Sequence, residues 1–366
     1  MRIGIGAILG VLGGPATYAR ELIRALARID DTNEYVVITD APERLGVQAA
    51  NVSCVHAALG ASILQPVWDH GWVPFFVHRQ ALQLYHGTKG MLPIWNGCPE
   101  VVTIHDLAVY HQPETFAWSQ RLHQLTHTPL AVRRATRVIA DSESGRRDIL
   151  ERFSLPPEQV VAIPLAAGSQ FSPAPGAQDD EVARQLQLPS SFLLYAGTIQ
   201  PRKNVELLVE AFSQLPPDAE LVVAGRVRPG YQPAFLRHPP ARVRYLGPVS
   251  DAQLAVLYRR AIALCSPSSY EGFGLSLLEA MRSGCAVIAG ANSSVPEVVG
   301  DAGILLDEIS GASLRQALLA VLGGKVNLDT LREKALRRAA QFSWDETARR
   351  TLAVYREVLE DARAAA

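Results

Sequence analysis

Two glutamates in the stretch SSYEGFGLSLLEAMRSG, Ser268 to Gly284, have the residue type and the spacing to act on a sugar. Seven residues separate Glu271 from Glu279, and a Gly-Phe-Gly turn follows the first of them. Paired carboxylates work as acid and base in the hydrolases that cleave glycosidic bonds. Carboxylates also accept strong, directional hydrogen bonds from hydroxyl groups. The pair is therefore a candidate either for cleaving a sugar or for holding one.

The flanking residues predict where these glutamates lie. The segment AIALCSPS is typical of a strand, and GLSLLEAMRS is typical of a helix that ends at Gly284. Glu271 is then in the loop at the carboxyl end of the strand, and Glu279 is in about the second turn of the helix. Ligands of open α/β sheets bind at this edge. Two carboxylates would repel a diphosphate, so the pair is predicted to bind hydroxyl groups.

A second candidate site is the basic loop in YAGTIQPRKNVELLVEAF, Tyr195 to Phe212. A predicted strand ends at Gly197, the loop presents Arg202 and Lys203, and a helix begins after Asn204, a residue type that caps helices. Two adjacent cations at the positive end of a helix are unfavourable unless an anion binds there. The loop is predicted to bind an anion, and the alternative is a solvated basic turn.

The third candidate is the glycine-rich turn in GAILGVLGGPATYARELIRAL, Gly6 to Leu26. A strand, a glycine-rich turn and a helix in this order bring main-chain N–H groups towards a phosphate. The spacing is not the GxGxxG of dinucleotide-binding turns, so a nicotinamide cofactor is not expected. The alternative is that the glycines only allow the helix to pack closely.

The length and the charge limit the class of protein. A chain of 366 residues is longer than one compact core usually supports, so two domains are expected. The formal net charge of −1 argues against nucleic-acid binding, which requires a basic field. No apolar run approaches the ~20 residues of a membrane span, and the first residues suit a strand and a turn better than a signal peptide. The cysteines form no CxxC pair and are read as small buried residues in a reducing compartment, so a cytoplasmic location is expected.

Short apolar runs alternate with amphipathic helical patterns along the whole chain. Strands of this kind, separated by helices, predict parallel sheets that are covered on both faces. Two such sets predict two doubly wound α/β domains. The irregular segment AAGSQFSPAPGAQDDE, Ala166 to Glu181, is the predicted linker, and the last helix is predicted to pack back on the first domain. The predicted domain limits are 1–170, 171–345 and, for the returning helix, 346–366.

The second half closely resembles the retaining glycosyltransferases of family 4, which have the GT-B fold: two Rossmann-like domains that face a cleft. The resemblance is carried by YAGTIQPRKN, ELVVAGR, VRYLGPVSDAQLAVLYRRA and PSSYEGFGLSLLEAMRSGCAVIAGANSSVPEVVGDAGILLD, and the last of these contains the E-x7-E signature of the family. The first half is similar in GGPATYARELIRAL, VVTIHDLAVYHQPETF and ATRVIADSESGRRDI. The resemblance covers nearly the whole chain.

The resemblance implies a site for a nucleotide-diphosphate sugar. Arg202 and Lys203 would neutralise the diphosphate, Glu279 would hold the ribose and Glu271 would hold the transferred sugar. The resemblance implies further contacts from the turn glycines of the first domain, Gly13 and Gly14. It also implies contacts from the main chain of Phe273, Gly274 and Leu275, and from Thr198, where some relatives carry an arginine. The IPNG turn that is common in the family reads IPLAAG in this chain.

The resemblance also places His105 of VVTIHDL beside the donor sugar. Asp106 is the only nearby carboxylate in a motif, and the resemblance does not make it a nucleophile. We therefore expect a front-face substitution with retention of configuration, in which His105 binds the sugar through its carbonyl and ring. No Asp-x-Asp motif occurs, so neither a metal ion nor any other cofactor is expected. A nucleotide-sugar epimerase of the same fold and a non-enzymatic sugar-nucleotide-binding protein are the alternatives.

The donor and the acceptor are less tightly defined by the sequence. The first half looks similar to bacterial mannosyl- or rhamnosyltransferases of polysaccharide assembly, which favours GDP-mannose over a UDP-linked sugar. The expected acceptor is a saccharide or a lipid-linked saccharide. The stretch from Leu64 to Gln80 carries four aromatic residues: Trp68, Trp72, Phe75 and Phe76. These residues are interpreted as core, with an acceptor groove or a peripheral contact with the inner membrane face as the alternatives.

Overall fold

The computed structural model of the chain describes residues 1–10, 13–57, 68–95, 97–216 and 220–364. These residues form two compact units. One consists of Met1–Leu165 together with Ser343–Ala366, and the other is Ala166–Phe342. Both limits lie within a few residues of the predicted 170 and 345.

The first unit contains a seven-stranded parallel sheet in the order β3-β2-β1-β4-β5-β6-β7. Its strands are β1 Arg2–Ala7, β2 Glu34–Thr39, β3 Val52–His56, β4 Leu84–Gly87, β5 Glu100–Ile104, β6 Arg137–Ala140 and β7 Val160–Ala162. Its α-helices are Gly14–Ile29, Val73–Arg79, Ala108–His111, Trp118–Arg134, Glu143–Phe153 and Trp344–Ala364, and a π-helical turn covers Trp68–Trp72.

The second unit contains a six-stranded parallel sheet in the order β10-β9-β8-β11-β12-β13. Its strands are β8 Phe192–Ala196, β9 Glu220–Ala224, β10 Val243–Gly247, β11 Ala263–Ser266, β12 Ala286–Gly290 and β13 Ile304–Leu306. Its α-helices are Asp179–Gln185, Val205–Ser213, Ala234–Arg237, Asp251–Arg260, Leu275–Arg282, Val295–Val299, Gly311–Leu322 and Leu328–Ala339.

The strand order of both sheets confirms the predicted doubly wound α/β fold. In each sheet the chain runs outwards from the first strand to one side and then returns to continue on the other side. The central strands are buried along their whole length, as the continuous apolar runs predict, because helices cover both faces. The three-residue strand β7 was not predicted, and the end of the predicted linker is helical from Asp179 onwards.

The last helix, Trp344–Ala364, packs on the first unit, which confirms the predicted return of the chain. Thr347 Oγ1 donates to the carbonyl of Pro164 at 2.7 Å, and the fully buried Tyr355 hydroxyl lies 2.6 Å from His86 Nδ1. Arg28 forms an ion pair with Asp345 at the start of the helix. The apolar stripe that this helix would expose alone is therefore part of the first core.

Two smaller features complete the fold. No helix among the described residues is long and apolar enough to cross a membrane. Cys265 and Cys285 are buried, as expected, but Cys54 is exposed at the edge strand β3.

Candidate active site

The loops of the second unit meet where its strand order reverses. The chain leaves β8 towards β9 on one side and later returns to β11 on the other, so the loops after β8 and β11 diverge at the carboxyl edge of the sheet. Ligands of doubly wound sheets bind at such a point. Arg202 and Lys203 follow β8, and Glu271 follows β11. Three residues predicted from separate motifs therefore lie at one place.

Lys203 and Glu271 form an ion pair at this point. The ammonium of Lys203 contacts Oε1 of Glu271, and Arg202 Nη1 lies 3.9 Å from Oε2. Glu271 is only 8% exposed. Burial by itself raises the pKa of this carboxyl, but the charges of Lys203 and Arg202 outweigh it and hold the pKa below its ordinary value. The anion predicted beside the two cations is therefore supplied in this structure by the protein itself.

Hydrogen bonds hold the basic turn Pro201–Lys203 against the loop after β11. The guanidinium of Arg202 donates to the carbonyl of Tyr270 at 2.6 Å, and the carbonyl of Arg202 accepts from the main-chain N–H of Ser269 at 2.9 Å. Asn204 does not cap the following helix through its side chain, contrary to the prediction. Its amide donates instead to the carbonyl of Pro267 at 2.9 Å, which adds a further link between the two loops.

The loop after β12 supports Glu271, and the sequence had not suggested this role. The main-chain N–H of Glu271 donates to Ser293 Oγ at 2.9 Å, and Ser294 Oγ donates to the carbonyl of Glu271 at 2.9 Å. Asn292 donates from its amide to the carbonyl of Ser268 at 2.9 Å. The polar cluster ANSS, residues 291–294, could have indicated this role, because it comes directly after a buried strand and the carboxyl ends of parallel strands lie close together at one sheet edge.

Glu279 lies in the second turn of the helix Leu275–Arg282, as predicted, and is partly exposed. The Tyr258 hydroxyl donates to its Oε2 at 3.4 Å. Gly274 precedes the helix with φ +95°, a left-handed conformation that favours glycine. The ring of Phe273 is buried, and its centroid lies 5.9 Å from that of Phe342. Thr198 is exposed on the loop after β8.

Gly13 and Gly14 of the glycine-rich turn in the first unit are exposed to solvent. Gly13 has φ +148°, and Cβ atoms built on Gly13 and Gly14 meet nothing within 4 Å. Close packing therefore does not explain these glycines. Asp40, which follows β2, accepts hydrogen bonds from the main-chain N–H groups of Leu9 at 2.7 Å and Gly10 at 3.0 Å. The acidic side chain that orders this turn was not recognised from the sequence.

His105 follows β5 and lies between two acceptors. Its Nδ1 is 2.8 Å from Oδ2 of Asp141, which follows β6, and its Nε2 is 2.8 Å from the carbonyl of Thr88, which follows β4. Because a carbonyl can only accept, Nε2 carries a proton and donates it to Thr88. The short contact between Nδ1 and the Asp141 carboxyl requires a second proton, which lies between these two groups. Asp106 accepts from the N–H of Ala108, the first residue of the next helix, at 3.0 Å.

The electrostatics favour an imidazolium at His105. Burial disfavours the charged ring, but the charge of Asp141 and its hydrogen bond outweigh burial and raise the pKa of His105 above its ordinary value. Burial also raises the pKa of Asp141, so the pair retains its shared proton. Both ring nitrogens are thus engaged within the protein. The ring was predicted to bind the sugar. With both nitrogens engaged, the ring can contribute only its charge and its C–H edge to such binding.

A buried network lies beneath His105. Thr103 Oγ1 is 2.9 Å from the hydroxyl of Tyr18 and 2.8 Å from Nε2 of His86, whose Nδ1 contacts Tyr355. Burial lowers the pKa of His86 to about 3, so this ring is neutral and suits its two hydroxyl partners. The edge of Tyr18 packs on the His105 ring with 5.0 Å between ring centroids. The returning C-terminal helix therefore supports the carboxyl edge of the first sheet.

This fold with these loops defines the GT-B class, and comparison with known proteins agrees. The structure superposes on sucrose-phosphate synthase from Thermosynechococcus elongatus with a TM-score of 0.80 and 22% identity, covering 98% of this chain and 99% of that one. It superposes on HepE of Anabaena, solved with UDP and glucose, with a TM-score of 0.75 and 18% identity, covering 98% and 100% of the two chains. Similarity at this level of identity shows the fold.

The sequence comparisons show the family. Residues 178–340 match Glycosyl transferases group 1, and residues 12–166 match Glycosyltransferase Family 4. The O-antigen chain mannosyltransferase B of Escherichia coli is 31% identical over 369 residues, covering 94% of this chain and 96% of that protein. The serotype-specific mannosyltransferase WbdA of Escherichia coli is 28% identical, and the match covers 71% of this chain but 34% of WbdA. The chain belongs to glycosyltransferase family 4 and is a glycosyltransferase.

Proposed function

We propose that this glycosyltransferase moves mannose from GDP-mannose to a saccharide or lipid-linked saccharide acceptor, with retention of configuration and without a divalent metal ion. The observation that carries the proposal is the grouping of Arg202, Lys203 and Glu271 at the switch point of the second sheet. Two cations suit a diphosphate, and a neighbouring carboxylate suits the hydroxyl groups of a sugar. The mannose is supported by two relatives that are named as mannosyltransferases, and the acceptor class is supported by the first of them, which is named as acting on the O-antigen chain.

In the proposed reaction, Arg202 and Lys203 offset the charge that develops on the departing diphosphate. Lys203 must then be shared between Glu271 and the ligand, because the ion pair already occupies it. Glu271 accepts hydrogen bonds from the mannose, and Glu279 accepts them from the ribose. The main-chain amides of Phe273, Gly274 and Leu275, the exposed Thr198 and the open turn at Gly13 and Gly14 complete the proposed contacts.

The proposed substitution takes place on one face of the sugar. The bond between the anomeric carbon and the diphosphate oxygen breaks while the acceptor oxygen bonds to the same face, and the proton of the acceptor passes to the departing phosphate. In this proposal His105 contacts the sugar through its main-chain carbonyl, and a positive charge on its ring stabilises the negative charge of the reacting phosphate. An imidazolium with both nitrogens engaged is unsuited to be the base, which supports proton transfer to the leaving group.

The test is incubation of the purified protein with GDP-mannose, UDP-glucose and GDP-rhamnose, each with mannosylated acceptors and with EDTA present. We expect transfer from GDP-mannose in EDTA and an α-linked product by NMR. Conversion of the donor's sugar without any acceptor would identify an epimerase instead. Tight nucleotide binding with no turnover on any acceptor would favour a binding protein, and a β-linked product would refute retention.

A further inference from the structure

The large apolar side chains that the described residues expose are concentrated in one part of the first unit. Only Tyr245 and Leu319 of this group lie in the second unit. The others lie between residues 72 and 130: Trp72, Phe75, Ile94, Trp95, Trp118, Leu122 and Leu130. Trp95 is 78% exposed and Trp118 is 76% exposed. Exposed tryptophan is costly to leave in water, and a concentration of this kind marks an interaction surface.

These side chains stand on three segments that contact one another: residues 70–79, residues 89–95 and the helix Trp118–Arg134. His70 of the first segment stacks on His127 of the third with 5.3 Å between ring centroids. The main-chain N–H of Ile94 in the second donates to His70 Nδ1 at 3.2 Å. His123 Nε2 lies 3.0 Å from the sulfur of Met91, which joins the second and third segments. We call the exposed side of these segments the aromatic face.

The helix Trp118–Arg134 shows that this face is not part of the core. Only Ala131 and Val132 of its seventeen residues are buried. At 3.6 residues per turn, Trp118, Leu122 and Leu130 fall within an arc of about 120° around the helix, and all three are exposed. The described residues of the first unit therefore leave these three apolar side chains of the helix exposed to solvent.

The aromatic stretch from Leu64 to Gln80 also has exposed side chains outside the core. Residues 64–67 and the side chain of Trp68 lie outside the described residues. Of the others, Phe76 packs against the core of the first unit, whereas Trp72 and Phe75 are about half exposed. The interpretation of the stretch as core is therefore correct for Phe76 and wrong for Trp72 and Phe75.

The charge of the aromatic face is of one sign. The three segments contain no aspartate or glutamate, and they contain five cations: Arg79, Lys89, Arg121, Arg133 and Arg134. The guanidinium of Arg79 lies over the ring of Phe75, 5.9 Å from its centroid, and Arg134 pairs with Glu100 of β5. In a protein with a net charge of −1, such a cationic surface is local. Exposed tryptophans among arginines match the headgroup region of an anionic bilayer, where indole rings enter the interface and cations meet lipid phosphates.

We propose that the aromatic face docks the enzyme on the surface of an anionic phospholipid bilayer. A protein partner or a saccharide would also cover aromatic rings, but a saccharide favours carboxylate and amide acceptors for its hydroxyls, and the face offers no carboxylate. The inference does not depend on the donor or the chemistry of transfer. It concerns the location of the enzyme. Docking on the bilayer would let a lipid-linked acceptor reach the enzyme by diffusion within the membrane plane.

The experiment is cosedimentation of the full chain, without donor or acceptor, with vesicles of phosphatidylcholine alone or with one-third phosphatidylglycerol. We expect binding to the anionic vesicles only, weakened by raising the salt from 0.1 to 0.5 M. W95S/W118S should lower the partition coefficient by about tenfold or more, since binding scales with the apolar area that enters the interface. R121E/R133E should abolish the preference for anionic lipid. The matched control Y245S/L319S removes the exposed apolar residues of the second unit and should bind as the wild type does.

Because all of the substituted side chains are exposed, the variants should keep the circular dichroism spectrum and melting temperature of the wild type. Absence of vesicle binding by the wild type, or unchanged binding by W95S/W118S, would overturn the proposal. A W118S variant that binds vesicles normally but has a raised KM for a soluble saccharide acceptor would show a sugar site instead. Self-association that W95S/W118S abolishes, with no vesicle binding, would show a face between two copies of the chain.

Discussion

His105 and Asp141 form a buried pair that holds a proton between Nδ1 and Oδ2 at 2.8 Å, while Nε2 of the same ring donates to the carbonyl of Thr88. The raised pKa of His105 favours a positively charged ring at the carboxyl edge of the first sheet. In a transfer reaction such a group stabilises negative charge, and it has no lone pair with which to take a proton from the acceptor. In the proposed reaction Asp141 would act only through the ring, as a positioning residue.

Asp141→Asn should lower the pKa of His105, because it removes the charge that most strongly offsets the burial of the ring. In the wild type, the stabilisation from the charged ring is present below the unfolded-state pKa and is lost as pH rises through the elevated folded-state pKa. We expect NMR of the His105 ring nitrogens to show an imidazolium at pH 7 in the wild type and a neutral ring in the variant. Turnover should fall with little change in donor KM.

The matched control is Asp148→Asn. Asp148 also pairs with a histidine of the first unit, but its partner His111 is about half exposed, at 3.3 Å. That variant should leave the His105 titration and the turnover unchanged. A neutral His105 ring in the wild type at pH 7 would contradict the assignment of the pair.

Glu271→Gln should tighten the binding of GDP while it lowers turnover. The neutral amide no longer holds the charge of Lys203, so more of that charge acts on the diphosphate, and we expect a gain of about 1 kcal/mol. The loss of turnover follows from the weaker hold on the transferred sugar. Isothermal titration with GDP and steady-state kinetics measure the two effects separately. Glu279→Gln, the matched control, should instead weaken GDP binding, and identical behaviour of the two variants would refute their separate roles.

Lys203→Ala should weaken GDP binding by roughly 1.5–3 kcal/mol, the value of a charge-assisted contact. It should also lower the melting temperature, because the nearly buried carboxylate of Glu271 loses its main partner. Adding Glu271→Gln should restore much of that stability but not the affinity. Lys334→Ala, which breaks the surface pair with Asp301, serves as the control and should change neither quantity much. Wild-type affinity in Lys203→Ala would show that the diphosphate binds elsewhere.

Gly14→Ala separates a ligand-binding role of the glycine-rich turn from a structural one. A Cβ at Gly14 meets open space, so we expect the melting temperature to stay within about 1 °C of the wild type. If a phosphate approaches this main chain, the added methyl group should raise the KM for the donor. Gly6→Ala is the contrasting variant, because its Cβ would lie 2.1 Å from the Tyr85 hydroxyl and should destabilise the fold. Unchanged donor kinetics in Gly14→Ala would remove the turn from the proposed site.

The elements of this protein follow largely from local sequence. Twelve of the strands that the structure describes coincide with short apolar runs of the sequence, because a parallel sheet covered on both faces needs almost every residue of a strand to be apolar. The short strand β7, with the sequence VVA, was missed because three residues carry too little pattern. The loops bearing Arg202, Glu271 and His105 were recognised because each comes directly after a buried strand, and parallel strands place such loops at one edge.

The partners within the site depended on the tertiary structure. Lys203 and Glu271 are 68 residues apart, and only the neighbouring positions of β8 and β11 bring them into contact, so that the protein supplies the counter-ion that the sequence had assigned to a ligand. Asp141 and Thr88 reach His105 in the same way, from the strands on either side of β5. Exposure is a property of the whole fold for the same reason. Trp72 and Phe75 lie in an aromatic pattern that is typical of a core. Whether such residues are buried depends on which other parts of the chain pack against them, and both are exposed here.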